Sequence, residues 1–251
     1  MRIAVSDYDG TIANRQGLLG DVVPAIKRWR GEGNVFGIAT GRDLPMTLTE
    51  TVKWGIEYDF LVCINGAALY DENNALLEAK LLPNDLPERL MRHPAGMASF
   101  HYQLSGLEGL RVLAREGSWF PKLGIPYQAV SFDQAVATKD LGQISFAYAS
   151  AEECAKWHDM LVEDFGGAIA AHPNKTTIDI NVAGVDKAAG IEEIVRRRGW
   201  GGSEVLTIGD GGNDVGMIEK FGGFTVPGAE PFIEKLATRV FANVPEMLAE
   251  A

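Results

Sequence analysis

Asp7-Tyr8-Asp9-Gly10-Thr11 directly follows a short apolar run, Ile3-Ala4-Val5-Ser6. Carboxylates at i and i+2 behind the C-terminal end of a strand can converge on one point, and Gly10 lets the backbone turn beneath them. That edge is where ligands bind in open α/β sheets. Taken alone, the segment also fits a polar turn, the ordinary fate of Asp-Gly. A second acidic loop, Ile208-Gly209-Asp210-Gly211-Gly212-Asn213-Asp214, likewise ends one apolar run and opens a helical pattern. An oxygen-rich pair such as Asp7 and Asp210 suits Mg2+, which takes one or two protein carboxylates together with water and substrate phosphate. Helix capping is the plain alternative for Asn213 and Asp214.

Two further loops carry complementary groups. Ala39-Thr40-Gly41-Arg42 follows another apolar run. Its hydroxyl and loop N–H groups can take phosphate oxygens beside the next helix N-terminus, although a lone Thr-Gly is also an ordinary turn. Lys187 opens a helix after Gly184-Val185-Asp186. A cation is disfavoured at that positive end, so Lys187 invites explanation, the plain reading being a solvated surface lysine. Charge joins the four loops. Two unit charges 4 Å apart interact by about 4 kcal/mol at an effective dielectric of 20. A phosphate dianion beside Asp7 and Asp210 therefore needs the charges of Mg2+ and Lys187.

The elements that must position these loops are legible as a rhythm. Strand patterns at Ile3–Ser6, Val35–Ala39, Phe60–Ile64, Val205–Ile208 and Phe224–Val226 alternate with helical patterns at Asp21–Arg30, Pro45–Trp54, Lys187–Arg198 and Asp214–Phe221. Ala67–Tyr70 and Ala75–Glu78 read as a hairpin. Such alternation predicts a doubly wound, Rossmann-like parallel sheet with helices on both faces. The middle differs. Pro83, Pro87, Pro94, Pro121 and Pro126 punctuate it, with strand patterns at Ala98–Gln103, Gln143–Tyr148, Ala168–His172 and Thr177–Ile180, and one clear helix, Ala151–Phe165. It predicts an α+β module at 83–181 inserted into an α/β core made of 1–82 and 182–251.

Composition narrows the partners. The 251 residues are 46% hydrophobic and 23% charged, as in globular proteins. A net charge of −11 disfavours nucleic acid and anionic membrane. No run approaches the ~20 apolar residues of a membrane span. Met1-Arg2-Ile3-Ala4-Val5-Ser6-Asp7 reaches an acid before an apolar leader could form. Cys63 and Cys154, far apart and in no metal spacing, predict reduced thiols in a cytoplasmic setting. His93, His101, His158 and His172 lack ligand spacing and read as surface or packing residues.

Together, Asp7–Thr11, Thr40-Gly41-Arg42, Lys187 and Gly209–Asp214 resemble, in order, the four motifs of the haloacid dehalogenase superfamily, phosphatase branch. Asp210–Met217 and the long insertion after the third strand resemble its Cof-type, subclass IIB members, which carry a C2B α+β cap. Ala188 departs from the family's usual glycine, and Pro227-Gly228-Ala229 from an apolar-Asn-Ala sequence. The resemblance implies that Asp7 attacks phosphorus and that Asp9 is general acid and base. It implies that Asp7, Asp210 and the main-chain carbonyl of Asp9 hold Mg2+ with Asp214 in support. Thr40, Gly41, Lys187 and Asn213 would then take the phosphoryl group, while Arg42, Asn65 and Lys175 are expected at the substrate. The expectation is a Mg2+-dependent phosphatase for a small phosphorylated metabolite such as a sugar phosphate, monomeric or homodimeric. A phosphomannomutase-like phosphomutase and a non-catalytic phosphate-ligand sensor are the alternatives.

Overall fold

The computed structural model describes residues 1–250. The chain begins with β1 (Arg2–Ser6), β2 (Ala13–Asn14), β3 (Gly17–Leu18), α1 (Val22–Gly31), β4 (Val35–Ala39), α2 (Leu44–Trp54), β5 (Phe60–Cys63), β6 (Ala68–Asp71) and β7 (Leu76–Ala79). Next come α3 (Leu86–Arg92), α4 (Pro94–Ala98), β8 (His101–Gly106), β9 (Gly109–Ala114), β10 (Gln128–Ala129), α5 (Phe132–Ala137), β11 (Leu141–Ala147), α6 (Ala151–Phe165), β12 (Ile169–Asn174) and β13 (Thr177–Val182). It closes with α7 (Lys187–Arg197), β14 (Glu204–Ile208), α8 (Val215–Phe221), α9 (Pro231–Leu236) and α10 (Val244–Glu250). Two compact units result. The first comprises Met1–Arg42, Met46–Glu78 and Asp186–Ala251, and the second Asp43–Pro45 with Ala79–Val185.

The first unit is built on a sheet of order β14-β1-β4-β5-β6-β7. β14, β1, β4 and β5 are parallel, and β6 turns back antiparallel to β5. Ile3, Val5, Ala39, Phe60 and Val62 face one way and pack with Ile191 and Ile194 of α7 and Met217 of α8. Ala4, Phe36, Ile38 and Leu61 alternate with them and are buried too, so these strands are apolar on both faces, as parallel strands between helical layers require. Ser6 pairs with Ile208 on one side and Ile38 on the other. This register delivers residues 7, 40 and 209–210 to one sheet edge. Phe224–Val226, which reads as a strand, makes, among the described residues, only the isolated bridges Ile208↔Phe224 and Thr225↔Val240.

The second unit has a sheet of order β10-β9-β8-β11-β13-β12, antiparallel except for the β10–β9 pair. Tyr102, Leu104, Ile144, Phe146, Ile178 and Ile180 share an apolar core with Leu86, Leu90 and Met91 of α3 and with Leu161 of α6. The alternate positions carry His101, Gln103, Ser105, Gln143, Ser145, Asp179 and Asn181.

Four helices stand where sequence patterning gives one. α3 and α4 begin with proline in the first turn, and α5 with a Ser131/Gln134 capping box. Their shortness hides the 3.6-residue period. Pro94 also carries helix as far as Ala98, so the strand read from Ala98 starts at His101. Among the described residues, no helix is long and apolar enough to cross a membrane.

Candidate active site

Asp7 leaves β1 into the first unit's interior. Its amide donates to Ile208 O at 2.9 Å, which ties the β1 end to β14, and its carboxyl is almost wholly buried. Lys187 stands at the start of α7 with an exposure of 0%, so the solvated-surface alternative does not hold. Its ammonium donates to Asp7 Oδ1 and to Asp214 Oδ1, each at 2.6 Å. Burial alone would lower the Lys187 pKa; Asp214 and Asp7 outweigh it and raise the ammonium above its ordinary range. These carboxylates are the local partners that a lysine at a positive helix end requires. The helix start is capped by Asp186, whose Oδ1 accepts from Ala189 N at 2.7 Å.

Asp214 is committed at both oxygens. Oδ2 accepts the amides of Asp210 and Gly211, both at 2.9 Å, while Oδ1 takes Lys187. The loop Gly209–Asp214 therefore closes on itself and presents Asp210. Thr11 completes the cradle, donating to Asp210 Oδ1 at 3.0 Å. Gly10 has φ +96°, and a Cβ there would overlap the Asp210 carboxylate. A Cβ on Gly209 would likewise overlap the Asp214 carboxylate. Neither glycine can be replaced without moving a carboxylate.

Oxygens of Asp7, Asp210 and Asp214 lie within 4.8 Å of one another. Two of the three carboxylates, those of Asp7 and Asp214, bond the Lys187 ammonium. Burial pushes the Asp7 carboxyl well above its usual range; Lys187 opposes this, while Asp214, Asp210 and Asp9 add to it. Crowded hard oxygens with uncompensated negative charge fit a hard divalent cation.

Thr40 is fully buried at the end of β4 and accepts from Arg42 N at 3.2 Å. Its own amide donates to Val62 O at 2.8 Å. A Cβ on Gly41 would come to 3.3 Å from Asn65 Oδ1. Asn65 has φ 53° and accepts from Asn213 Nδ2 at 3.0 Å. The loops after β4, β5 and β14 thus meet at this edge. Asp9 is exposed, and Arg42 grips it from Nε and Nη2 at 2.7 and 2.6 Å. Lys175 lies in the second unit, at φ 56° in the turn between β12 and β13.

Thr11, Asp186, Tyr8 and Glu50 join the site without being marked as candidates by residue type and spacing. Thr11 sits inside the first motif, so its spacing carried a signal. Asp186 carried the ordinary signature of a helix N-cap. Glu50, on an amphipathic helix, carried none.

Residues 4–246 match the family model for haloacid dehalogenase-like hydrolases. The chain is 25% identical over 254 residues to the 5-amino-6-(5-phospho-D-ribitylamino)uracil phosphatase YcsE of Bacillus subtilis, covering 100% of this chain and 94% of the relative. It is 27% identical over 252 residues to a phosphoglycolate phosphatase of Aeropyrum pernix, covering 98% and 88%. Its fold is similar to that of the subclass IIB sugar phosphatase BT4131, with a TM-score of 0.83 at 18% identity over 99% of this chain and 98% of that one.

Proposed function

The chain belongs to the haloacid dehalogenase-like hydrolases, and on that footing we propose that it is a Mg2+-dependent phosphatase hydrolysing a small phosphorylated metabolite through an aspartyl-phosphate on Asp7. The observation that carries the reading is the buried Lys187 bridging Asp7 and Asp214 beside Asp210 at the edge where β1 and β14 end.

Asp7 attacks phosphorus, a bond forms between its carboxylate oxygen and phosphorus, and the ester P–O bond breaks. Asp9 gives its proton to the departing oxygen. It then takes a proton from water as that water attacks phosphorus, which releases phosphate and restores the Asp7 carboxylate. Lys187 and Thr40 take phosphoryl oxygens, with Gly41 and Asn213 beside them. Asp7 and Asp210, with the main-chain carbonyl of Asp9, would hold Mg2+, and Asp214 would brace the loop behind them. The ion supplies the positive charge that lets a phosphate dianion approach these carboxylates.

Segment 83–181 serves as the cap that selects the substrate, Lys175 included, and 1–82 with 182–251 as the core that performs the chemistry. The relatives' activities toward a ribitylaminouracil phosphate and toward phosphoglycolate support a small phosphomonoester. Two buried free thiols support a reducing, cytoplasmic setting.

The test is phosphate release from p-nitrophenyl phosphate and a panel of sugar, polyol and acid monophosphates, with and without Mg2+. Mg2+-dependent release lost in Asp7→Asn is expected. No release from any substrate, or interconversion of hexose 1- and 6-phosphates without release, contradicts the reading.

A further inference from the structure

Three nitrogens of Arg42 face two different carboxylates. Nε and Nη2 bond the Asp9 oxygens, and Nη1 points toward Glu50, 3.9 Å from its Oε1. The guanidinium carbon lies 4.8 Å over the Tyr8 ring. Glu50 is itself fixed, because its Oε2 accepts the Tyr8 hydroxyl at 3.2 Å and the Trp54 indole N–H at 3.0 Å. Tyr8 is buried, whereas Asp9 has a side-chain exposure of 58%. The rigid part of this assembly is therefore Tyr8–Glu50–Trp54, and the part with least support of its own is Asp9.

An exposed carboxylate on a turn has several rotamers, and a long arginine has more. A two-point fork fixes the plane of the carboxylate only if the guanidinium is fixed first. Here the face of the guanidinium is seated on Tyr8 and its far edge lies in the field of Glu50, so the fork is presented to Asp9 already oriented. We propose that Glu50 and Tyr8 are positioning residues that act through Arg42 to set where the Asp9 carboxyl stands, and so govern proton delivery to the leaving oxygen without touching substrate. This rests on the reading of Asp9 as general acid given above.

Leaving-group dependence separates this role from ordinary structural support. An alkoxide leaving group needs its proton as the P–O bond breaks, whereas p-nitrophenolate departs without one. Wild type, Glu50→Ala, Glu50→Gln, Tyr8→Phe and Asp9→Asn are compared on an alkyl monophosphate and on p-nitrophenyl phosphate, with thermal unfolding as the folding control. Asp9→Asn should lose at least tenfold more kcat/KM, which reports the step in which the leaving group departs and not the shared hydrolysis of the aspartyl-phosphate, on the alkyl ester than on the aryl ester. Glu50→Ala should show the same sign of bias, threefold or more, in kcat/KM and in the single-turnover rate of phosphoryl transfer at saturating ester, so that a change in substrate binding alone is told apart. Glu50→Gln keeps an acceptor for Tyr8 and Trp54 and should recover part of the loss, while Tyr8→Phe keeps the ring and should show a smaller bias than Glu50→Ala. Equal loss on both esters, or no loss, in Glu50→Ala while Asp9→Asn keeps its bias overturns the positioning proposal alone. Absence of bias in Asp9→Asn overturns both the proposal and the role of Asp9.

Discussion

Lys187 and Asp7 lie 180 residues apart in sequence, yet the lysine Nζ stands 2.6 Å from the aspartate Oδ1 with both side chains buried. Removing one partner of a buried ion pair leaves the other charged and unsolvated, at a cost of about 3–5 kcal/mol. In Lys187→Met both Asp7 and Asp214 lose their cation. Urea unfolding in EDTA should therefore show a loss of that size, and millimolar Mg2+ should restore part of it. A variant as stable as wild type in EDTA would mean that the pair does not hold the unit together.

Gly10→Ala tests the cradle under Asp210. The position has φ +96°, and the added Cβ would meet the carboxylate. A backbone held in a sparsely populated region costs about 1–3 kcal/mol. The variant should melt earlier by a corresponding amount and lose most Mg2+-dependent activity, because Asp210 must move. Retention of full activity would show that the Asp210 position is not critical.

Mg2+ should stabilise the folded chain. Binding to the native state alone contributes about 2.7 kcal/mol at 100 times Kd. Differential scanning calorimetry should show a rise in Tm with Mg2+ in wild type that is lost in Asp210→Asn. Calorimetry of the EDTA-treated proteins separates this from any effect on turnover. An equal rise in the variant would place the ion elsewhere.

A pH effect is expected from the second unit. Burial lowers the His101 imidazole from 6.5 to about 4; its ring nitrogens lie 3.1 Å from Ser118 Oγ and 3.2 Å from Gln103 Nε2, with Trp119 edge-on to the ring. Between those two pH values the unfolded chain binds a proton that the folded unit does not, so stability rises with pH across the window. The contribution is complete above pH 6.5 and lost as pH falls toward 4. In His101→Gln the slope of unfolding free energy against pH should flatten there by up to one proton. An unchanged slope would contradict a buried neutral imidazole.

The sheet edge was legible in the sequence because its chemistry is written as contiguous loops behind apolar strands. Asp7, Asp210 and Thr40 each follow a buried run, and the parallel register brings those ends together. What Lys187 faces was not legible locally, since its partners come from positions 7 and 214. Charge alone gave a reason to seek them. The second unit was less legible. Its helices of five to seven residues are too short to display a period, and β9 carries Gly109 and Arg111 inside a half-exposed pattern. Glu50 was invisible for another reason. On α2 it is the one acidic residue, three positions before Lys53 as on an ordinary solvated helix face, and only the approach of Tyr8, Arg42 and Trp54 distinguishes it.

The most direct measurement is mass spectrometry of the peptide Ile3–Arg15 after rapid acid quench of the Mg2+ enzyme turning over p-nitrophenyl phosphate. One phosphoryl group is expected on this peptide, localised to Asp7 by fragmentation, appearing with the first product released and absent in Asp7→Asn. Turnover with this peptide unmodified and the phosphoryl group on another residue, or full activity in Asp7→Asn, would contradict it.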